Sequence, residues 1–188
     1  MKRLAAALAL LAAPAAATPP GPCLSAPSFE AALEALKGEG WAVVEPGEAL
    51  PDEAALGVGL IDAYNMLASG PLPPHAGSDI ERSVAMARGL ARRVDTEGSR
   101  VRVLLRNPGE ALRLSLIDGT TLTCAATTAA PLPPPADPAA GYGPPLSQPL
   151  PGGRLRAVPM NPAVLSEAAA LPVAATGHYL IERDLPPQ

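Results

Sequence analysis

The chain has 188 residues with 25 prolines and 17 glycines, 48% hydrophobic residues of which 38 are alanine, and a formal charge of −4. Proline plus glycine stays just under the level at which low-complexity disorder becomes the default, and the larger aliphatic residues are near the lower limit for a packed core. These figures exclude a large multidomain enzyme, a coiled coil and a collagen, and leave room for one compact domain of about 100 to 150 residues with Pro-rich segments attached.

Residues 1–17 read as a secretory signal peptide. Lys2 and Arg3 open it, Leu4 to Ala13 is an apolar stretch, and Ala15-Ala16-Ala17 supplies the small residues before a cut after Ala17. The apolar stretch is about half the ~20 residues that span a bilayer, and no later window is longer, so no transmembrane segment is expected in the mature chain. Pro20-Gly21-Pro22 before Cys23 lacks the aliphatic residue that bacterial lipoprotein processing wants, which disfavours lipidation. Export to the periplasm or the medium is oxidising, and the only two cysteines, Cys23 and Cys124, are expected to pair. The rival reading, a catalytic thiol, needs a nearby base, and no His is close in sequence to either one.

Charge is unevenly distributed. From Leu24 to Glu81 there are ten acids against Lys37 alone, whereas Arg82 to Arg113 holds eight Arg against three acids. Two explanations compete: acidic early helices facing a basic later segment within one fold, or an anion-binding patch. Nucleic acid is disfavoured as a partner by the acidic balance and by the scarcity of aromatics for base stacking.

In chain order, Phe29, Leu33 and Leu36 follow helical spacing behind Ser28 as N-cap, and Gly38 and Gly40 end the helix. Trp41 to Val44 reads as a short buried strand. A second helix starts at Pro51, with Leu56, Leu60, Tyr64 and Leu67 on one face; Gly57 and Gly59 imply close packing or a ragged first half. The third helix is predicted from the capping box Ser78-Asp79-Ile80-Glu81, with Ile80, Val84, Ala87, Ala91 and Val94 as its buried stripe and Arg82, Arg88, Arg92 and Arg93 largely outside it.

From Arg100 the period changes to two, and Asn107-Pro108-Gly109-Glu110 is a turn. A two-residue loop at Pro108-Gly109 sets Leu105 against Leu112, Val103 against Leu114 and Val101 against Leu116. For the next turn, a three-residue loop Ile117 to Gly119 sets Leu114 against Leu122 and Leu112 against Cys124. The resulting three-stranded meander buries its aliphatic face and carries Arg102, Arg106, Arg113, Ser115, Thr121 and Thr123 on the other. Cys124 points to the core, where a Cys23 bridge would pin the first helix to the sheet.

Nine prolines fall between Pro131 and Pro151, so residues 127–153 read as an extended connector. Asn161-Pro162 caps a brief helix through Ala170, and His178 to Arg183 is a last strand that adds to the sheet edge. The fold class expected is α+β, with about three helices on one face of a small antiparallel sheet (meander 100–125). It divides into a signal peptide (1–17), a disulfide-linked domain (18–126), the connector (127–153) and a C-terminal return (154–188).

Motifs for catalysis are absent. His75 and His178 are about a hundred residues apart, there is no Cys-x-x-Cys, no His-Glu-x-x-His, no Gly-x-Ser-x-Gly and no phosphate loop, so neither a metal nor an organic cofactor is expected. The surviving constellation is the Arg-bearing sheet face, where Arg102, Arg106 and Arg113 could dock an anionic partner, such as an envelope protein or an anionic ligand. The functional expectation is an exported, non-catalytic binding or interaction domain. The alternative is a small cofactor-independent hydrolase of the cell envelope, which needs His75 or His178 beside a Ser or carboxylate in a cleft.

Overall fold

A computed structural model describes residues 18–45, 47–68, 70–90 and 100–186. The predicted signal peptide, and Ala91, Arg92, Arg93 and Val94 of the third predicted helix, lie outside the described residues. The fold is α+β. Among the described residues there are five helices, α1 (Gly21–Ser25), α2 (Phe29–Gly38), α3 (Asp52–Leu67), α4 (Ala76–Leu90) and α5 (Pro162–Ala169). Seven strands accompany them: β1 (Ala42–Val43), β2 (Arg100–Asn107), β3 (Glu110–Ile117), β4 (Thr121–Thr128), β5 (Leu146–Leu150), β6 (Gly153–Pro159) and β7 (Gly177–Asp184). They form one antiparallel sheet in the order β1-β2-β3-β4-β7-β6-β5.

The first hairpin has the predicted register, with Leu105 opposite Leu112, Val103 opposite Leu114 and Val101 opposite Leu116. Gly109 at φ 73° takes the left-handed position that the Pro-Gly turn requires. The second hairpin differs from expectation by two residues. Its loop is Asp118-Gly119-Thr120, so Leu114 faces Cys124, Leu112 faces Ala126 and Leu116 faces Leu122. Asp118 and Gly119 both have positive φ (51° and 68°) and the Thr120 amide donates to the Ile117 carbonyl, the combination that a type I′ turn uses and that Asp-Gly tolerates well. A shift of two preserves the side-chain alternation, so Cys124 still points into the aliphatic face.

Helices cover both sides of the sheet, which corrects the expectation of three helices on one face. α1 and α2 pack on the aliphatic face, where Phe29, Ala32 and Leu36 meet Leu105, Leu112, Leu114 and Leu122. α3, α4 and α5 occupy the other face, packing with Leu104, Ala111 and Val158. The reason lies in α3, which is apolar nearly all the way round and buries Ala54 to Ile61 without a break. A helix of that kind must lie between two partners. Gly57 and Gly59 allow it: an added Cβ would stand 3.1 Å from Ala111 Cβ at Gly57 and 2.9 Å from the Val84 backbone nitrogen at Gly59. The close-packing reading of these glycines is therefore the one the fold uses.

The start of α4 is also displaced. It begins at Ala76, so Ser78 lies in the first turn and its hydroxyl donates to the His75 carbonyl (2.8 Å) instead of capping. Asp79 turns to Arg82 and His75. The stripe residues Ile80, Val84 and Ala87 are buried.

The segment 127–153 is integrated into the fold. β4 runs on to Thr128, β5 forms the outer edge with Pro149, where a residue lacking an amide proton is tolerated, and Ala140 bridges to Pro71. Tyr142 is buried and donates its hydroxyl to the Leu60 carbonyl of α3 (2.7 Å). β7 is not an edge strand but sits between β4 and β6. Residues 18–126 and 154–186 thus share one sheet.

Cys23 and Cys124 form a disulfide with 6.0 Å between Cα atoms. Beside it the buried Arg183 of β7 donates to the carbonyls of Cys23 (3.1 Å) and Ala26, so α1 is held to the sheet covalently through β4 and by a guanidinium through β7.

Candidate functional site

The expected Arg face is present as a geometric fact: Arg102 lies opposite Ser115, Leu104 opposite Arg113 and Arg106 opposite Ala111, which puts the three arginines on one side. That side is the one α3 covers. Arg113 meets Asp62 of α3 at 2.5 Å, with both side chains 21% exposed, and Arg106 meets Glu48 at 3.2 Å. Arg102 is not a free cation either. Arg88 adds a contact with Asp52 at 2.6 Å. These pairs join the acidic early segment to the basic later one, as the intramolecular explanation of the charge asymmetry requires. Ser115 is buried, which removes it as an accessible donor.

The two histidines are in unrelated settings. His75 is exposed, with Nε2 3.4 Å from Oδ2 of Asp79, whose other oxygen, Oδ1, meets Arg82. His178 is fully buried, its ring 5.1 Å from Tyr64 and 6.1 Å from Tyr142 in edge contacts, and neither ring nitrogen has a hydrogen-bond partner among the described residues. Burial pushes its pKa down to about 3, and the charge of Arg156 acts in the same direction. Among the described residues, no group of three His, Cys, Asp or Glu is placed to hold a metal ion.

A cleft of about 350 Å³ opens at the end of the sheet where the β2–β3 hairpin turns. Thr18, Pro19 and Pro20 form one wall, Glu39 and Trp41 beyond α2 another, and Asn107, Glu110, Thr127, Thr128 and Tyr179 the sheet side. A smaller cleft of about 170 Å³ shares Asn107 and Glu110 and continues toward Pro51 and Arg106. Each wall follows from local structure. Glu110 is the first residue of β3 after the Pro-Gly turn, Thr127 and Thr128 are the end of β4, and Tyr179 comes from β7 next to β4. The disulfide at Cys23 and the hydrogen bond from its amide to the Pro20 carbonyl (3.1 Å) bring the N-terminal residues across.

Three features make this cleft chemically distinct. Burial raises the pKa of the half-buried Glu110 carboxyl, while the Ala129 amide and the Thr128 hydroxyl pull it back. Tyr179 is only 3% exposed and its hydroxyl has no hydrogen-bond partner among the described residues; burial, and then the negative charge of Glu110, hold its pKa above the ordinary value. The charged residues lining the cleft, Glu39 and Glu110, are both acidic. A buried hydroxyl without a partner is costly, and Tyr179 carries that cost on the sheet side of the cleft, enclosed behind the accessible carboxyl of Glu110. Sequence reasoning did not find this site because its walls come from five separate stretches, and Asn107 to Glu110 carried only a turn signal.

Comparison with protein-family models, with curated proteins and with solved structures finds no match.

Proposed function

We propose that this chain is an exported, non-catalytic binding domain, periplasmic or secreted, whose ligand enters the cleft beside the β2–β3 hairpin. The observation that carries the reading is a 350 Å³ cleft that holds a partly desolvated carboxyl group, an unsatisfied buried tyrosine hydroxyl and a tryptophan. Clefts of that size with a few convergent polar groups are the usual form of small-ligand sites. Export is supported by the signal-like start and by the formed disulfide, which reducing compartments rarely keep. No helix among the described residues is long and apolar enough to cross a membrane.

The hydrolase alternative has less support, since neither His75 nor His178 lines the cleft. Docking of an anionic partner on Arg102, Arg106 and Arg113 would compete with Glu48 and Asp62 for two of the three guanidinium groups. Capture from the envelope fraction of the native host separates the cleft from the Arg face. The wild-type protein should retain a component that Asn107→Arg, which crowds the cleft, loses, and that the double change Arg102→Glu with Arg106→Glu keeps. Retention by Asn107→Arg with loss on Arg reversal would overturn the cleft reading and place the partner on the Arg face.

A further inference from the structure

Thr18 is the residue that follows the predicted cut after Ala17, and it is also a wall of the cleft that Glu39 and Glu110 line. We propose that export processing completes this cleft: the α-ammonium freed at Thr18 becomes the counter-ion of the Glu110 carboxylate. The proposal rests on the export reading above, including its cleavage position. Hydrolysis of the Ala17–Thr18 peptide bond by a leader-removing peptidase consumes one water, leaves a carboxylate on Ala17 and an amine on Thr18, and replaces a neutral amide with a group that is largely protonated at neutral pH.

The local chain is suited to hold that charge. Pro19 and Pro20 fix two successive φ angles, a residue before proline is confined to extended backbone, and Pro20 is tied to Cys23, itself anchored by the disulfide. The ammonium therefore sits on a stalk that is three residues long and stiff. A lysine on a flexible four-carbon stem must give up far more freedom to form the same pair. Among the described residues, every charged side chain lining the cleft is a carboxylate: Glu39 from the end of α2 and Glu110 from β3. Tyr179 of β7 contributes a neutral hydroxyl without a partner, and Arg106 in the adjoining cleft is turned to Glu48. Among the described residues, nothing cationic in the lining competes for Glu110. The consequence for the site is that the exported form presents a self-supplied cation that its precursor lacks, so that a positively charged ligand has to displace the chain's own terminus.

The sequence offers a clean probe. Once residues 1–17 are gone, Lys37 is the only lysine, so reductive methylation with ¹³C-formaldehyde labels two amines, the Thr18 terminus and Lys37, and retains both charges. Lys37 pairs with the exposed Glu34 on α2 and serves as the internal reference. In a pH titration of the folded protein followed by NMR, the Thr18 amine should titrate about half a unit to one unit above the ordinary value of roughly 7.7–8.0, and return to that value in Glu110→Gln. Glu39→Gln should leave most of the rise in place. A folded-state pKa at or below the ordinary value, a rise that survives Glu110→Gln, or one lost only in Glu39→Gln would overturn the pairing. N-terminal sequencing of the exported protein separates the two levels: a terminus other than Thr18 defeats the cleavage position, whereas a terminus at Thr18 with an unshifted amine defeats the docking alone.

Discussion

His178 shows how a residue that draws attention in the sequence can be spent on packing. Its ring fills a space between Tyr64 and Tyr142, and both nitrogens are without partners. The neutral form is the one that this setting tolerates. Because the folded pKa, about 3, lies below the ordinary 6.5, the unfolded chain takes up a proton first as pH falls. The stabilisation is complete above pH 6.5 and is lost progressively toward pH 3, at up to roughly 1.4 kcal/mol for each pH unit. Urea unfolding between pH 7 and pH 4 should therefore show a steeper loss of stability in the wild type than in His178→Phe, which keeps the aromatic contact without the titrating group. Equal slopes in the two proteins would contradict the assignment. The sequence identified this histidine and its strand, but its surroundings come from α3 and from residue 142 in the proline-rich stretch, which no local pattern connects to residue 178.

At the scale of elements, the close approach of α3 to α4 is the feature with the sharpest consequence. At Gly59 a new Cβ would meet Val84 Cγ2 at 2.7 Å and the Val84 backbone nitrogen and Cα at 2.9 and 3.0 Å. Alanine gains about 1 kcal/mol of helix propensity over glycine, whereas overpacking against a neighbouring backbone costs about 1–3 kcal/mol. Gly59→Ala should lower the melting temperature, and Gly89→Ala in α4, where none of the described residues lies within 4 Å of an added Cβ, should leave it unchanged or raise it. A Gly59→Ala protein as stable as the wild type would mean that α3 and α4 are not packed this tightly. The hairpins illustrate where local reading works and where it stops. At β2–β3 the Pro-Gly turn and the apolar pairing agree on one register, and Gly109 at φ 73° seats that turn. For β3–β4 apolar pairing could not separate two registers that differ by two residues, since both keep aliphatic residues on the same face. The tolerance of Asp118 for positive φ decides between them.

For the whole molecule, the features legible in the sequence were those with a short range, the helices at 29–38 and 52–67 and the alternation of the meander, together with one long-range link, the cysteine pairing that follows from a count of two. What was not legible depends on the return of the chain. The proline-rich stretch lacks periodicity, yet Ala140, Tyr142 and β5 dock it onto the rest, and β7 enters the middle of the sheet because β4 offers a free edge that the N-terminal strands do not cover. The cleft arises at that level too, from walls that only the finished sheet and the disulfide bring together. For a core this small, closing a loop of 101 residues contributes up to about 4.7 kcal/mol in the chain-entropy model, a large part of a typical domain's net stability. The same bridge fixes the N-terminal wall of the cleft, so the stability of the fold and the shape of the cleft depend on one bond.

Intact mass of the protein isolated from the envelope or medium of its native host, taken with and without reductant in the presence of an alkylating agent, tests the exported-domain account most directly. It should begin at Thr18, resist alkylation until reduced, and then accept two alkyl groups, one on Cys23 and one on Cys124. A chain that still carries residues 1–17, or whose thiols react without reductant, would contradict it.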